Sequence, residues 1–249
     1  MSTDNTSGVI ENIKDSRIKI FHNNLNQSCS SSLNFGLKLI EEEIVVRADG
    51  DNVYSADYVE TLLNHIKKDK IVYSPYREIR KNKSSYIVEG FKDIEPFLWT
   101  MLFCNTVDHN VAYYKDFVLK KGGYSNLPCS EDYKLWTDCL LEDKHSIVCV
   151  NTPNPKVTTI KTQHSLTSRF KEVNNINIKI SQNFINNLLN IKSKKNFIKK
   201  LKEAKIYGNK ITRQSDMFYA NYLAELFFKK FNVNNNIIKK YKDYFYFYV

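Results

Sequence analysis

Asp49 and Asp51 stand one residue apart in Arg47-Ala48-Asp49-Gly50-Asp51, directly after the apolar run Ile44-Val45-Val46. On an extended segment, side chains at i and i+2 share a face, so the two carboxylates can converge on one ion. Hard divalent cations such as Mg2+ or Mn2+ take oxygen ligands and keep positions open for phosphate. The pair therefore predicts a metal and diphosphate site, with Arg47 beside it. The plainer account is a polar loop whose aspartates cap a helix start. A strand ahead of the loop favours the ligand site, because open α/β sheets bind at the carboxyl ends of their strands.

The elements that must position this loop follow from periodicity. A turn at Ser2-Thr3-Asp4-Asn5-Thr6 feeds a helix to about Lys14, Arg17 to Phe21 alternates like a short strand, and Ser30 to Ile40 carries Leu33, Leu37 and Ile40 at helical spacing. Beyond the acidic loop, Val59, Leu62, Leu63 and Ile66 mark a helix, Lys70 to Tyr73 a strand, and Pro96 to Phe103 an aromatic-rich helix. Val111 to Tyr114 is a strand, Lys121-Gly122-Gly123-Tyr124 a turn, Glu131 to Leu141 a helix and Ile147 to Val150 a closing strand. This alternation predicts an α/β domain over residues 1–164. A helical region over 165–249 follows, with Phe184, Leu188 and Ile191 on one stripe and Phe218, Tyr222 and Leu226 on another.

Charge divides at the same place. Residues 1–168 hold 20 Lys and Arg against 22 Asp and Glu, while residues 169–249 hold 17 against 5. The overall charge of +10 is thus a property of the tail, where Lys alternates with Phe and Tyr up to Tyr244-Phe245-Tyr246-Phe247-Tyr248. Such a tail suits an anionic membrane surface; a solvated helical face is the plainer account. Nucleic acid is disfavoured, since no recognition motif accompanies the charge and the front part is slightly acidic. Five cysteines at 29, 104, 129, 139 and 149 contain no CxxC pair, which argues against a disulfide framework and a zinc site and for a reducing compartment. No apolar run is long enough to span a bilayer, so the expected location is cytoplasmic, at most peripherally attached.

Four ordered stretches carry a family resemblance. Ser31-Ser32-Leu33-Asn34-Phe35-Gly36-Leu37, then Glu43 to Asp51, then Asn105 to Lys115 with His109, then Gly122-Gly123-Tyr124 and Glu131-Asp132-Tyr133-Lys134-Leu135-Trp136 resemble the GT-A glycosyltransferases of family 2. The resemblance covers roughly residues 2–168 and implies a GT-A-like mixed sheet flanked by helices. It implies that Asp49 and Asp51, the DxD pair, bind the metal and the diphosphate of a nucleotide-sugar donor, with Asp51 the direct ligand. Asp132 is then the general base beneath a hydroxyl acceptor and Glu131 a supporting carboxylate, although both also suit the positive end of a helix. His109 becomes an acceptor-side contact, and His164 a loosely matching third metal ligand. A sugar hydroxyl needs its proton removed as it attacks, and the departing diphosphate needs its charge neutralised, so each acidic motif serves one end of an inverting displacement in glycan synthesis.

The resemblance also implies a strand, helix and second strand ahead of the Ser-Thr-Asp-Asn-Thr turn, roughly 40 residues that would supply the nucleobase pocket. This chain begins at the turn, so an N-terminally truncated GT-A-like domain with a helical C-terminal extension is expected. A start codon placed too late, a split or decaying gene, and completion by another chain are the three accounts. The rival function is an inactive remnant serving as a binding or accessory protein, its basic tail on a membrane surface.

Overall fold

The structure is a computed structural model, described here over residues 5–23, 27–79, 84–107, 109–160, 170–207 and 214–241. Helix α1 spans Thr6–Glu11 and α2 spans Cys29–Leu39, the latter capped by Ser28, whose hydroxyl accepts from the Ser31 amide. Strand β1 (Ile44–Val46) leads into the acidic loop, followed by β2 (Asn52–Tyr54), α3 (Tyr58–Leu63), β3 (Ile71–Tyr73), β4 (Tyr76–Ile79) and β5 (Ser85–Val88). Then come α4 (Ile94–Met101), β6 (Val111–Tyr114), α5 (Lys115–Lys120), α6 (Glu131–Glu142), β7 (Ile147–Cys149) and β8 (Val157–Ile160). Four C-terminal helices follow: α7 (Phe170–Leu189), α8 (Lys195–Tyr207), α9 (Gln214–Phe231) and α10 (Asn235–Lys240).

The strands form two four-stranded sheets. The first has the order β1-β6-β3-β7, with β6 antiparallel to both β1 and β3, and β3 parallel to β7. Hence β1, β3 and β7 run the same way, and their carboxyl ends lie together at one rim. The second has the order β2-β8-β4-β5, with β2 antiparallel and β4 parallel to β8. Asp49 to Asp51 is the link between the two sheets, at that rim. This mixed-sheet, helix-flanked arrangement is GT-A-like, and the C-terminal region is helical.

The core explains why these segments hold. Strand β3 is fully buried (Ile71, Val72 and Tyr73), and α4 buries every residue from Pro96 to Met101. Trp99 stacks edge-on against Phe227 of α9 with ring centroids 5.0 Å apart. Phe184, Ile185, Ile198, Leu201, Leu223 and Phe227 of the C-terminal helices belong to the same apolar cluster as Trp136, Leu140 and Tyr113.

Several expectations are corrected. Arg17 to Phe21 is not a strand: no neighbouring ladder accepts it, and Ile18, Ile20 and Phe21 are exposed. The first helix stops at Glu11 rather than Lys14. Helix α9 turns a different stripe inward than Phe218, Tyr222 and Leu226 suggested, since Phe218 is 74% exposed while Ala220, Leu223, Ala224 and Phe227 are buried. Strand β1, read as part of a buried run, is only half-buried at the end of its sheet. The aromatic run 244–248 lies outside the described residues.

Candidate active site

The acidic loop is shaped by a neutral side chain. Asn110, fully buried just before β6, accepts through Oδ1 from the Asp49 amide (3.3 Å), from Asn52 Nδ2 (3.4 Å) and from the Tyr54 hydroxyl (2.5 Å). The Asn52 amide in turn reaches back to the Asp49 carbonyl at 3.3 Å, so Gly50 and Asp51 form a turn. The extended segment assumed for the two aspartates is therefore replaced by a bend, and the two carboxylates have different surroundings. Asp51 is exposed at the tip. Asp49 is engaged below it.

Arg47 engages it. Its Nε lies 2.9 Å from Asp49 Oδ1 and its Nη2 3.2 Å from Oδ2, a two-pronged contact that fixes both oxygens. The side chain is only 7% exposed and the guanidinium sits 5.7 Å from the centroid of the Tyr124 ring. Burial works against its charge, yet the hydrogen bond and charge of Asp49, with Asp132 nearby, hold its pKa above the usual guanidinium range. Its carbonyl accepts from the buried Tyr58 hydroxyl at 2.8 Å. His109 approaches the same carboxylate from the other side, with Nε2 3.3 Å from Asp49 Oδ2 and 3.1 Å from Asn52 Nδ2.

The second acidic motif meets the first through Arg47. Glu131 Oε1 lies 3.6 Å from Arg47 Nη2, and both side chains are almost wholly buried. Ser130, left-handed at φ 60°, turns the chain so that Glu131 and Asp132 open α6. Burial, then the neighbouring Asp132 charge, pushes the Glu131 carboxyl above its ordinary pKa. Cys29, first residue of α2, adjoins it, and burial together with the Glu131 charge pushes its thiol up to about 12. Asp132 is more open: Oδ2 accepts from Asn105 Nδ2 at 3.1 Å and Oδ1 from the Tyr133 amide at 2.7 Å. One carboxylate is thus buried against a cation while its neighbour is only partly buried.

The floor between the motifs depends on a glycine. Asn34 of α2 donates to the Tyr124 carbonyl (2.7 Å) and accepts from the Tyr124 amide (2.8 Å). Gly123 sits at φ +74°, and a Cβ there would meet Asn34 Oδ1 at 2.5 Å, so the turn requires glycine. Asn34, Asn110 and Asn105 are the organising residues that sequence reasoning did not single out; asparagine in an Asn-rich chain carries no signal of its own. His164 lies outside the described residues. Among the described residues no cluster of three or more His, Cys, Asp or Glu could by itself hold a metal.

The sequence model of Glycosyl transferase family 2 matches residues 1–119. Those residues, just under half of the chain, carry the sequence pattern of a family 2 glycosyltransferase. Curated relatives agree with the family. An "Uncharacterized glycosyltransferase" of Haemophilus influenzae is 27% identical over 59% of this chain and 60% of its own length. A UDP-Gal:alpha-D-GlcNAc-diphosphoundecaprenol beta-1,3-galactosyltransferase of Escherichia coli is 29% identical over 49% and 46%. The UDP-Glc:alpha-D-GlcNAc-diphosphoundecaprenol beta-1,3-glucosyltransferase WfaP, also of Escherichia coli, is 26% identical over 56% and 55%. The chain spans roughly half the length of these relatives. The family match covers the acidic loop, Arg47 and His109, and stops before Glu131 and Asp132.

Proposed function

We propose that this chain acts in the inverting transfer of a sugar from a nucleotide-diphosphate donor to a glycan hydroxyl, on an acceptor of the lipid-linked diphosphate kind named for its relatives. The observation that carries this is the joining of the two acidic motifs by one buried guanidinium: Arg47 contacts Asp49 at 2.9 Å and Glu131 at 3.6 Å. Arg47 compensates the negative charge between the motifs. Asp51 at the exposed turn and Asp132 at the mouth of α6 are left to face the two ends of the reaction.

Asp51, backed by Asp49, offers the hard oxygen donors that Mg2+ or Mn2+ takes alongside substrate phosphates. Such a cation supplies charge neutralisation for the departing nucleotide diphosphate. Asp132 takes the proton of the acceptor hydroxyl, held in place by Asn105 and the Tyr133 amide. Glu131 stays buried and supports Arg47. His109, between Asp49 and Asn52, fixes the loop on the acceptor side.

The test is transfer from a UDP-hexose to a GlcNAc-diphospholipid in Mn2+ or Mg2+, with Asp51→Ala and Asp132→Asn as variants. Each variant is expected to lower kcat by about 10²-fold or more. Undiminished turnover in either removes the role assigned to that residue.

A second reading has its own observation. Residues 5–23 include no buried side chain. In that reading the chain serves as an accessory binding protein rather than a transferase. Its tail offers Phe218 and Tyr222, exposed on the helix that ends in Lys229 and Lys230, to an anionic membrane surface. No described helix is long and apolar enough to cross a membrane. Salt-sensitive co-sedimentation with phosphatidylglycerol vesicles and absence of transfer would favour this reading; turnover by the chain alone would remove it.

A further inference from the structure

Two C-terminal helices reach under the loop that holds Asp132. Lys202 of α8 is 3% exposed, and its ammonium donates to the Phe103 carbonyl and, at 3.1 Å, to Ser181 Oγ of α7. Tyr133 closes the cluster: its hydroxyl donates to the Met101 carbonyl at 2.7 Å and lies 3.0 Å from Ser181 Oγ, with its ring 5.7 Å from the Lys202 nitrogen. Met101 and Phe103 lie at the carboxyl end of α4, where carbonyls have lost their intrahelical donors. The cluster supplies those donors.

From here the connection to Asp132 is two residues long on one side and one on the other. Phe103 precedes Asn105, which grips Asp132 Oδ2 and also accepts from the Val107 amide at 3.2 Å. Tyr133 follows Asp132 directly, and its amide grips Oδ1. Both carboxylate oxygens are thus held by groups whose neighbours are tied to Lys202 and Ser181. A buried lysine that donates to neutral oxygens is costly to desolvate, and methionine would fill similar space without that cost. What methionine cannot supply is the donors.

We propose that Lys202 is a positioning residue: it locks the end of α4 so that Asn105 and Tyr133 present the Asp132 carboxylate in one orientation. The chemical part rests on Asp132 being the base; the mechanical part does not.

The experiment uses the full chain with Lys202→Met and, as a milder variant, Ser181→Ala, read by amide hydrogen exchange and by transfer kinetics. Lys202→Met should still melt cooperatively. Exchange should quicken by about 10-fold or more at residues 103–107 and stay unchanged in the first turn of α4. In a chain active in transfer, kcat should fall by about 10-fold or more with donor KM unchanged, as expected for a displaced catalytic group. Ser181→Ala should move both readouts the same way by less, and stands in for Lys202→Met if that variant does not fold. Unchanged exchange at 103–107 in a folded variant overturns the lock. Loosened exchange with unchanged kcat overturns its bearing on Asp132. If the wild-type chain transfers no sugar, the proposed function fails while the exchange measurement still decides the lock.

Discussion

The two ends of the chain treat apolar residues in opposite ways. In residues 5–23 the side chains of Val9, Ile13 and Phe21 are each more than half exposed, and α1 buries nothing. In α7 to α9, Phe184, Ile185, Ile198, Leu201, Leu223 and Phe227 are buried against the same core as the sheet helices. Both ends carry apolar residues at recognisable spacing; only one has a surface to receive them. Burial, and not pattern, is what converts an apolar residue into stability. Strand β1 ends its sheet, with one ladder edge unpaired among the described strands.

The comparison can be broken by paired substitutions. Phe227→Ala should cost about 3–5 kcal/mol in denaturant unfolding, because it empties a site packed by Trp99 and Phe231. A cost under about 1 kcal/mol would mean the C-terminal helices are not part of the core. Limited proteolysis should cut within residues 12–23 before any site in α7 to α9, because local opening there needs little free energy. First cuts in α7 would reverse the comparison. Lys202 gives a pH test. Burial lowers its pKa from an ordinary 10.5 to about 8, so between those values the unfolded chain binds more protons than the folded one. Stability of the wild type relative to Lys202→Met should therefore rise as pH goes from 8 to 10.5, followed by urea midpoints at each pH; a flat difference would contradict burial of the charge. Smallest of all, Phe21→Ser should change stability by no more than about 0.5 kcal/mol while reducing self-association in light scattering.

Much of the first sheet was legible because its strands, though only three or four residues long, are continuously apolar. Ile71-Val72-Tyr73, the α4 aromatics and the Leu135, Trp136, Cys139 and Leu140 stripe are all buried where periodicity placed them. The second sheet was not legible. Its strands are no shorter, but Tyr76-Arg77-Glu78-Ile79 or Asn52-Val53-Tyr54 is too polar to show an apolar run. Val157-Thr158-Thr159-Ile160, with its β-branched run, was the one signal available. Helix α5 was missed because it starts on the residue after β6 ends. At the site, residue types announced Asp49, Asp51, Glu131 and Asp132, but not that Arg47 would tie the two pairs together, since residues 47 and 131 meet only through the fold.

Asn110 bears on how the loop would meet the proposed diphosphate. One amide oxygen takes three donors and thereby sets the shape of the Asp49 to Tyr54 segment. An aspartate there could accept the same donors, but it would add a negative charge directly beneath the place proposed for the diphosphate, and like charges at such range repel strongly in a poorly solvated site. A neutral acceptor gives the loop its form while leaving its electrostatic potential to Asp49, Asp51 and Arg47. Geometry and charge at this rim are thus set by different residues, and each can be altered without the other.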